Sequence, residues 1–226
     1  MQQAYQALRV ISEAQTVHII LVPQPGELML KELISASAAL QAESSEGVKA
    51  VVLDFTGQAS ARSADRPITS ELLARAREAV RAIPQPVLAV ARASLSEVAC
   101  QLIGEADFTL IAHEASLHLA GSAQKKEHDT IGGFAAARLG YATWSARAGE
   151  LNREMERVLD MLRSKSAVAL RHAKTSVRLA EQHATTPLEA LSQVNRFYLE
   201  KVMATEDARE GLQAFLEKRQ PNWENR

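Results

Sequence analysis

The sequence predicts an α/β fold in which a largely parallel sheet comes first and a helical region follows. Four short apolar runs rich in β-branched residues are typical of buried strands, and they cover residues 17–22, 48–54, 87–91 and 108–112. Segments with helical spacing separate these runs, so strands and helices alternate. Such alternation favours parallel strands joined by right-handed crossovers. From about Phe134 onward the strand pattern stops.

The helical segments are marked by apolar residues three or four positions apart. Between the strands these residues are Leu28, Leu33, Ile34 and Leu40; Leu72, Leu73, Ala76, Val80 and Ile83; and Leu95, Val98, Leu102 and Ile103. A later helix begins at Thr186, which can cap it, with Pro187 in the first turn and Glu189 completing a capping box. We therefore expect an α/β core over residues 1–133 and a helical region over residues 134–226.

Composition excludes several classes of protein. The 26 basic and 27 acidic residues nearly cancel, which argues against a nucleic-acid partner. A single cysteine, Cys100, excludes an internal disulfide and a paired-cysteine metal site, so no metal is expected. The first residues lack the apolar core of a signal peptide, and no stretch approaches the ~20 apolar residues that span a bilayer. These observations predict a cytoplasmic protein that does not bind membranes.

The segment from Val87 to Asp107 resembles the central signature of the enoyl-CoA hydratase/isomerase (crotonase) family. That signature is a strand of the type VIAAVNG, three glycines, a C-E-L helix and a C-D pair, and here Cys100-Gln101-Leu102 and Ala106-Asp107 match it. Upstream, Ser63-Ala64-Asp65 is similar to the family's G-A-D loop. Residues 204–211 and 215–223 are close to its C-terminal signature. The region 130–159 is shorter than is usual in the family.

The resemblance implies a crotonase-like (ClpP/crotonase) superhelix of ββα turns with a C-terminal helical trimerisation region. Family members bind an acyl-CoA thioester and hold its oxyanion with two backbone N–H groups, which map to Ala64 and Val98. The CoA-binding positions map to Ser63, Ala64 and Asp65 and to Phe215 and Lys218. A homotrimer or hexamer follows, with CoA present only as part of the substrate or ligand and no separate cofactor.

This chain departs from the family where the chemistry occurs. Glu97-Val98-Ala99 replaces the three glycines, so a β-branched side chain and a negative charge stand beside the oxyanion position. The two catalytic glutamates of the family map to Gln101 and Gly121. An amide can position water but cannot accept a proton at neutral pH, and glycine has no titratable group. Ordinary hydratase activity is therefore not expected.

Other residues are candidates to replace the missing acid and base. Glu105 lies four positions after Gln101, and a polar group follows the fourth strand: His113, Glu114, His118, His128 and Asp129. His118 is the best candidate, because it replaces a family glycine near the reacting carbon. The alternative interpretation is that these are solvated loop residues. Ile131-Gly132-Gly133 is either a phosphate cradle, with Lys125 and Lys126 nearby, or a structural pair that opens a helix.

Three functions remain open from the sequence. The first is a divergent lyase or isomerase that acts on a CoA or acyl-carrier thioester, for example in fatty-acid metabolism, through a partial oxyanion hole. The second is a non-catalytic acyl-CoA-binding or regulatory paralogue, which could assemble with an active crotonase in a hetero-oligomer. The third is a structural relic whose shortened middle region has closed the pocket.

Overall fold

The computed structural model describes residues 5–41, 47–56, 67–118, 130–182 and 186–226, and a six-stranded sheet organises them. Its strands, in spatial order, are β1 (Arg9–Glu13), β2 (Thr16–Leu21), β3 (Ala50–Phe55), β4 (Val87–Ala91), β5 (Phe108–Ala112) and β8 (Trp144–Ala146). β1 is antiparallel to β2, and every other neighbouring pair is parallel. A separate hairpin pairs β6 (Ser116–His118) with β7 (Thr130–Gly132).

Eight α-helices complete the described part of the chain. They are α1 (Glu27–Ala39), α2 (Ser70–Arg81), α3 (Glu97–Ile103), α4 (Gly133–Arg138), α5 (Leu151–Arg163), α6 (Ala167–Gln182), α7 (Pro187–Phe197) and α8 (Glu206–Glu217). A short 3₁₀ turn, Ala148–Glu150, precedes α5, and a π-helical turn, Tyr198–Val202, continues α7. Within the described ranges, no helix combines the length and the apolar character needed to cross a bilayer.

The parallel α/β core is confirmed, because all four predicted strands form and stand next to one another in the sheet. β3 and β4 are buried along their whole length, which explains why their sequences are continuously apolar. The predicted cap of α7 is also confirmed: the Thr186 hydroxyl accepts a hydrogen bond from the backbone N–H of Glu189 at 3.4 Å. This bond satisfies one of the donors that a helix start leaves unpaired.

The prediction that strands stop near residue 134 is wrong. β8 pairs with β5, with Leu110 opposite Trp144, and the Phe108 and Trp144 rings stack at 5.6 Å. β8 has only three residues, so it carries too little alternation to be read from sequence. The same holds for β6 and β7. The division of the chain at residue 133 stays a prediction.

Candidate functional site at the carboxyl edge of the sheet

The first turn of α3 presents free backbone donors at the carboxyl edge of the sheet. β4 ends at Ala91, and α3 begins six residues later at Glu97. Ser96 caps the helix, since its hydroxyl accepts from the N–H of Ala99 at 3.3 Å. In the described part of the chain, the backbone N–H of Val98 has no acceptor, as expected for a first-turn amide. This donor can therefore receive an anionic oxygen.

The loop before α3 is fixed from two sides. The N–H of Ser96 donates to the carbonyl of Pro23, which follows β2, at 3.1 Å, and the N–H of Leu95 donates to the carbonyl of Ser116 on β6 at 3.1 Å. The Ser94 hydroxyl also accepts from the N–H of Ser116 at 3.2 Å. Because these bonds join the loop to two separate elements, the direction of the Val98 N–H is fixed by the fold rather than by a ligand.

Several of the sequence-predicted site residues lie outside the described residues. These are Ser63, Ala64 and Asp65 of the predicted loop, Gly121 at the second glutamate position, and Lys125, Lys126, His128 and Asp129. The roles assigned to them stay predictions. Of the two predicted oxyanion donors, the structure therefore describes Val98 on α3 and not Ala64.

Cys100 and Gln101 lie on α3, and His118 contacts that helix from β6. Gln101 is half-buried on the helix, and His118 is exposed at the end of β6. The backbone N–H of His118 donates to the Cys100 sulfur at 3.2 Å, which joins β6 to α3. Burial, with a smaller contribution from the charge of Glu97, raises the pKa of the Cys100 thiol, although the His118 N–H opposes the shift. Cys100 therefore stays protonated at neutral pH and serves packing rather than nucleophilic chemistry.

The proposal that Glu105 could replace Gln101 as an acid or base is wrong. α3 ends at Ile103, so the helical spacing that would bring Glu105 onto the face of Gln101 does not continue. The Glu105 carboxylate instead accepts from Arg77 on α2, with Nε at 2.8 Å and Nη2 at 2.6 Å. It lies at the amino edge of the sheet, next to the first residues of β5.

His113 and Glu114 are held by neighbours on α4 and in the 3₁₀ turn. The His113 ring packs edge-on against Phe134, with the ring centroids 5.2 Å apart. The Glu114 carboxylate accepts from the N–H of Ala148 at 3.2 Å. His118 differs from these two residues, because its backbone N–H contacts the Cys100 side chain on α3.

Gly133 is structural. Its N–H donates to the carbonyl of Ala115 at 2.8 Å, so this donor is not available to a phosphate. A Cβ at position 133 would come within 2.0 Å of the Ala112 carbonyl oxygen. Glycine is therefore required for α4 to begin this close to β5. Because the Gly133 N–H is already used, it cannot serve as a donor in the phosphate cradle that was the alternative interpretation.

Phe215 and Lys218 stand at the carboxyl end of α8 and face solvent in the single chain. Phe215 is 81% exposed, and Lys218 ends the helix in the left-handed conformation with φ of 54°. α8 packs against α6. A role for these two residues in CoA binding would require a neighbouring subunit and stays a prediction.

Two ion pairs were missed by sequence reasoning. Arg92 follows β4 and binds the buried carboxylate of Asp54 with Nε–Oδ1 and Nη2–Oδ2 distances of 3.0 Å. Lys174 on α6 lies 2.5 Å from Asp107, which precedes β5. A signal for Lys174 was present, because it stands at helical spacing from Ala167 and Leu170 on the buried face of α6. A cation at such a position indicates a buried partner.

Solved structures with the same architecture cover nearly the whole chain. An enoyl-CoA hydratase from Mycobacterium smegmatis is 21% identical, with a TM-score of 0.81, and the match covers 96% of this chain and 99% of that one. An enoyl-CoA hydratase/isomerase from Mycobacterium paratuberculosis is 20% identical, with a TM-score of 0.79 and coverage of 99% and 100%. These likenesses define the fold class as crotonase-like α/β and confirm that prediction.

Sequence comparison finds the same family in part of the chain. Residues 129–226 match the model of the enoyl-CoA hydratase/isomerase family. A cyclohexa-1,5-dienecarbonyl-CoA hydratase from Thauera aromatica is 60% identical over 38 residues, and this match spans only 17% of the chain and 15% of that protein. Residues 129–226 are thus similar to the enoyl-CoA hydratase/isomerase family, the family that the sequence signatures resemble.

Proposed function

We propose that the chain binds an acyl-CoA or acyl-carrier thioester at the carboxyl edge of β4 and acts on it in a divergent crotonase reaction without ordinary hydratase activity. The observation that carries this proposal is the unpaired Val98 N–H at the start of α3. The loop before it is fixed because the Ser96 N–H donates to the Pro23 carbonyl and the Leu95 N–H donates to the Ser116 carbonyl. A backbone donor at the start of a helix stabilises the negative oxygen of an enolate. The match of residues 129–226 to the enoyl-CoA hydratase/isomerase family model supports the choice of a thioester as the ligand.

The reaction should be one that needs an enolate-like intermediate but no pair of glutamates. An isomerisation or a lyase step such as a decarboxylation meets this condition, because the oxyanion site does the main work. His118 is the candidate acid or base, since its backbone is anchored to Cys100 beside Gln101. Gln101 can orient a water molecule or a substrate carbonyl through its amide.

A non-catalytic acyl-CoA-binding or regulatory paralogue is the second candidate. The observation that favours it is Gln101 itself, which fills the position of a family glutamate with a group of similar shape and no proton-transfer capacity. Such a protein would bind the thioester and leave it unchanged. It could also work inside a hetero-oligomer with an active crotonase.

Thioester binding can be measured by thermal shift and calorimetry with CoA and a panel of acyl-CoAs. The panel should include an alicyclic dienoyl-CoA, given the short match to a hydratase of that substrate class. At a ligand concentration of about 100 Kd, we expect stabilisation of about 3 kcal/mol. No stabilisation by any thioester would exclude both candidate functions. A turnover screen on the ligands that bind then separates the enzyme from the binding protein.

Two proline variants test the role of the α3 amide. Val98→Pro removes the N–H proposed to meet the thioester oxygen, and proline is tolerated in the first turn of a helix. We expect this variant to bind acyl-CoA no better than free CoA. Glu97→Pro removes the neighbouring N–H and is the matched control, which should keep the preference for the thioester. Equal loss in both variants would assign the effect to helix damage.

We also propose a homotrimer or a hexamer, formed through the helices after residue 186. Eight large apolar side chains on α7, the π turn, the residue that follows it and α8 are between 39% and 81% exposed: Leu188, Leu191, Tyr198, Leu199, Met203, Leu212, Phe215 and Leu216. An exposed apolar set of this size is typical of a protein–protein contact. The cytoplasmic location of this assembly stays a prediction.

One matched pair of variants tests this surface. Leu199 on the π turn and Leu139 after α4 are both 68% exposed. We expect Leu199→Glu to dissociate the oligomer, because it places a charge in the contact and removes about 2 kcal/mol of apolar burial per subunit. Leu139→Glu should leave the trimer intact. Sedimentation velocity measures both, and unchanged assembly in Leu199→Glu would contradict the proposed contact.

A further inference from the structure

A second cavity lies at the amino edge of the sheet, on the opposite side from α3's first turn. Its volume is about 430 Å³, which falls within the range of small-molecule sites. It opens between the starts of β4 and β5 and the inner face of α6. The apolar part of its wall comes from Pro86, Phe108, Leu162, Leu170, Ala173 and Val177. We call it the amino-edge pocket.

The carboxylates that line the amino-edge pocket already have cationic partners. Glu105 accepts from Arg77 at 2.6 Å, Glu181 lies 3.2 Å from Arg81, and Asp107 lies 2.5 Å from Lys174. Their acceptor capacity is thus directed toward the protein's own cations. A cationic ligand would have to compete with these pairs, so the pocket does not favour one.

The donors in the pocket are not all used. Lys174 is only 7% exposed, and its ammonium donates to Asp107 and, at 2.9 Å, to the carbonyl of Gln85. These two bonds leave one of its three N–H groups unpaired. Arg178 is half-buried on the same helix face and makes no hydrogen bond or ion pair within the described ranges; Asp107, Glu181 and Glu78 influence it only through longer-range attraction.

Burial disfavours the charged forms of Lys174 and Arg178. Burial lowers the pKa of Lys174 to about 8 and also lowers the pKa of Arg178, so both cations are poorly solvated. A guanidinium presents paired N–H groups in one plane, which match the two oxygens of a carboxylate. The apolar wall beside it requires that the rest of the ligand be apolar.

We propose that the amino-edge pocket is a binding site for a small carboxylic acid with an apolar body, such as a short-chain or ring-bearing carboxylate. The ligand carboxylate bridges Arg178 and the free N–H of Lys174, and its hydrocarbon part lies against Leu170 and Val177. This site is separate from the α3 site and does not depend on thioester binding there.

Calorimetry on the full chain with benzoate, hexanoate and acetate tests the proposal, with benzamide as the neutral isostere of benzoate and inorganic phosphate as a purely ionic probe. We expect benzoate and hexanoate to bind and benzamide to bind at least about 10-fold more weakly, because it lacks the charge that Arg178 and Lys174 meet. Equal effects of benzoate, acetate and phosphate would reveal a general salt effect and overturn the proposal.

Three variants locate the binding. Arg178→Gln removes the free guanidinium and should weaken benzoate at least about 10-fold. Ala173→Phe fills the pocket from the exposed side of α6 and should also prevent binding, while keeping both cations. Arg75→Gln makes the same charge change on an exposed part of α2 outside the pocket and should bind normally. Normal binding by Arg178→Gln or by Ala173→Phe, or no binding by the native chain, would overturn the assignment.

Discussion

Restoring both family carboxylates, by Gln101→Glu together with Gly121→Glu, is expected to raise hydration of an enoyl-CoA at least about 10²-fold over the native chain. The native amide at position 101 can orient water but cannot take its proton, and glycine at position 121 offers no acid. Each positioned acid or base typically contributes ~10²–10⁴ in rate. Hydration of crotonyl-CoA, followed by loss of its ultraviolet absorbance, measures the effect.

The matched control for this change is Gln101→Glu with Gly121→Gln, which fills the second position without adding an acid. We expect it to gain less than the double carboxylate variant, because only the base is restored. A native chain that already hydrates crotonyl-CoA as fast as the double variant would contradict the prediction. It would show that other groups, such as His118, already supply the proton transfers.

The start of α3, where the thioester oxygen would bind, limits how far the double variant can raise the hydration rate. Val98 is half-buried at the start of α3, and Glu97 adds a negative charge in the same turn. Replacing residues 97–99 by three glycines in the double variant should add less than the ~10²–10³ that a whole oxyanion donor contributes, because the Val98 N–H is already present and only its side chain and the Glu97 charge are removed. Comparing the double variant with and without the three glycines shows how much of the low hydratase activity comes from the missing carboxylates and how much from the side chains at the start of α3.

The central strands could be predicted because burial on both faces selects a continuous apolar sequence. β4, Val87–Ala91, and β5, Phe108–Ala112, were found with their correct bounds. β8 could not be predicted, since its three residues are specified by pairing with β5 rather than by their own pattern. Long-range contacts, not local preference, create such short strands.

The candidate site, like the sheet, could be predicted from the sequence only in part. Resemblance placed Val98 and Gln101 on α3, and the structure puts both on that helix. Helical spacing failed for Glu105, because α3 ends at Ile103 and the Glu105 carboxylate binds Arg77 instead. The amino-edge pocket was not predictable, since Lys174 and Asp107 are 67 residues apart in sequence and meet only in the folded chain. Residues 63–65 and 121 retain the roles that the family resemblance implies for them.

Asp107→Asn is expected to lower the free energy of unfolding by about 3 kcal/mol at pH 7, because it leaves the buried Lys174 ammonium without its counter-ion. In the native chain, the Asp107 carboxylate holds Lys174 and also accepts from the N–H of Val87 at 2.7 Å. An asparagine keeps an acceptor for Val87 but loses the charge. Denaturant unfolding at pH 7 measures the change.

The exposed pair between Arg153 and Glu150 provides the control for this effect. Their side chains are 81% and 51% exposed, so Glu150→Gln should change stability by less than about 1 kcal/mol. A cost for Asp107→Asn no larger than that of Glu150→Gln would show that the Lys174 pair contributes nothing beyond a surface contact. Adding Lys174→Met to Asp107→Asn should recover part of the loss, since no buried charge then remains.

The pH dependence of stability gives an independent reading of the same pair. Burial lowers the pKa of Lys174 from 10.5 to about 8 against the opposing attraction of Asp107, while Arg178 adds a smaller repulsion. Between pH 8 and 10.5 the unfolded chain binds more protons at this group, so its contribution to stability rises with pH, by about 3 kcal/mol over the window. In Asp107→Asn the pKa of Lys174 falls further, and the rise begins below pH 8. Lys174→Met should remove this rise in the free energy of unfolding. If the Lys174→Met variant shows the same rise between pH 8 and 10.5 as the native chain, Lys174 is not its cause and the amine at position 174 is not buried as described.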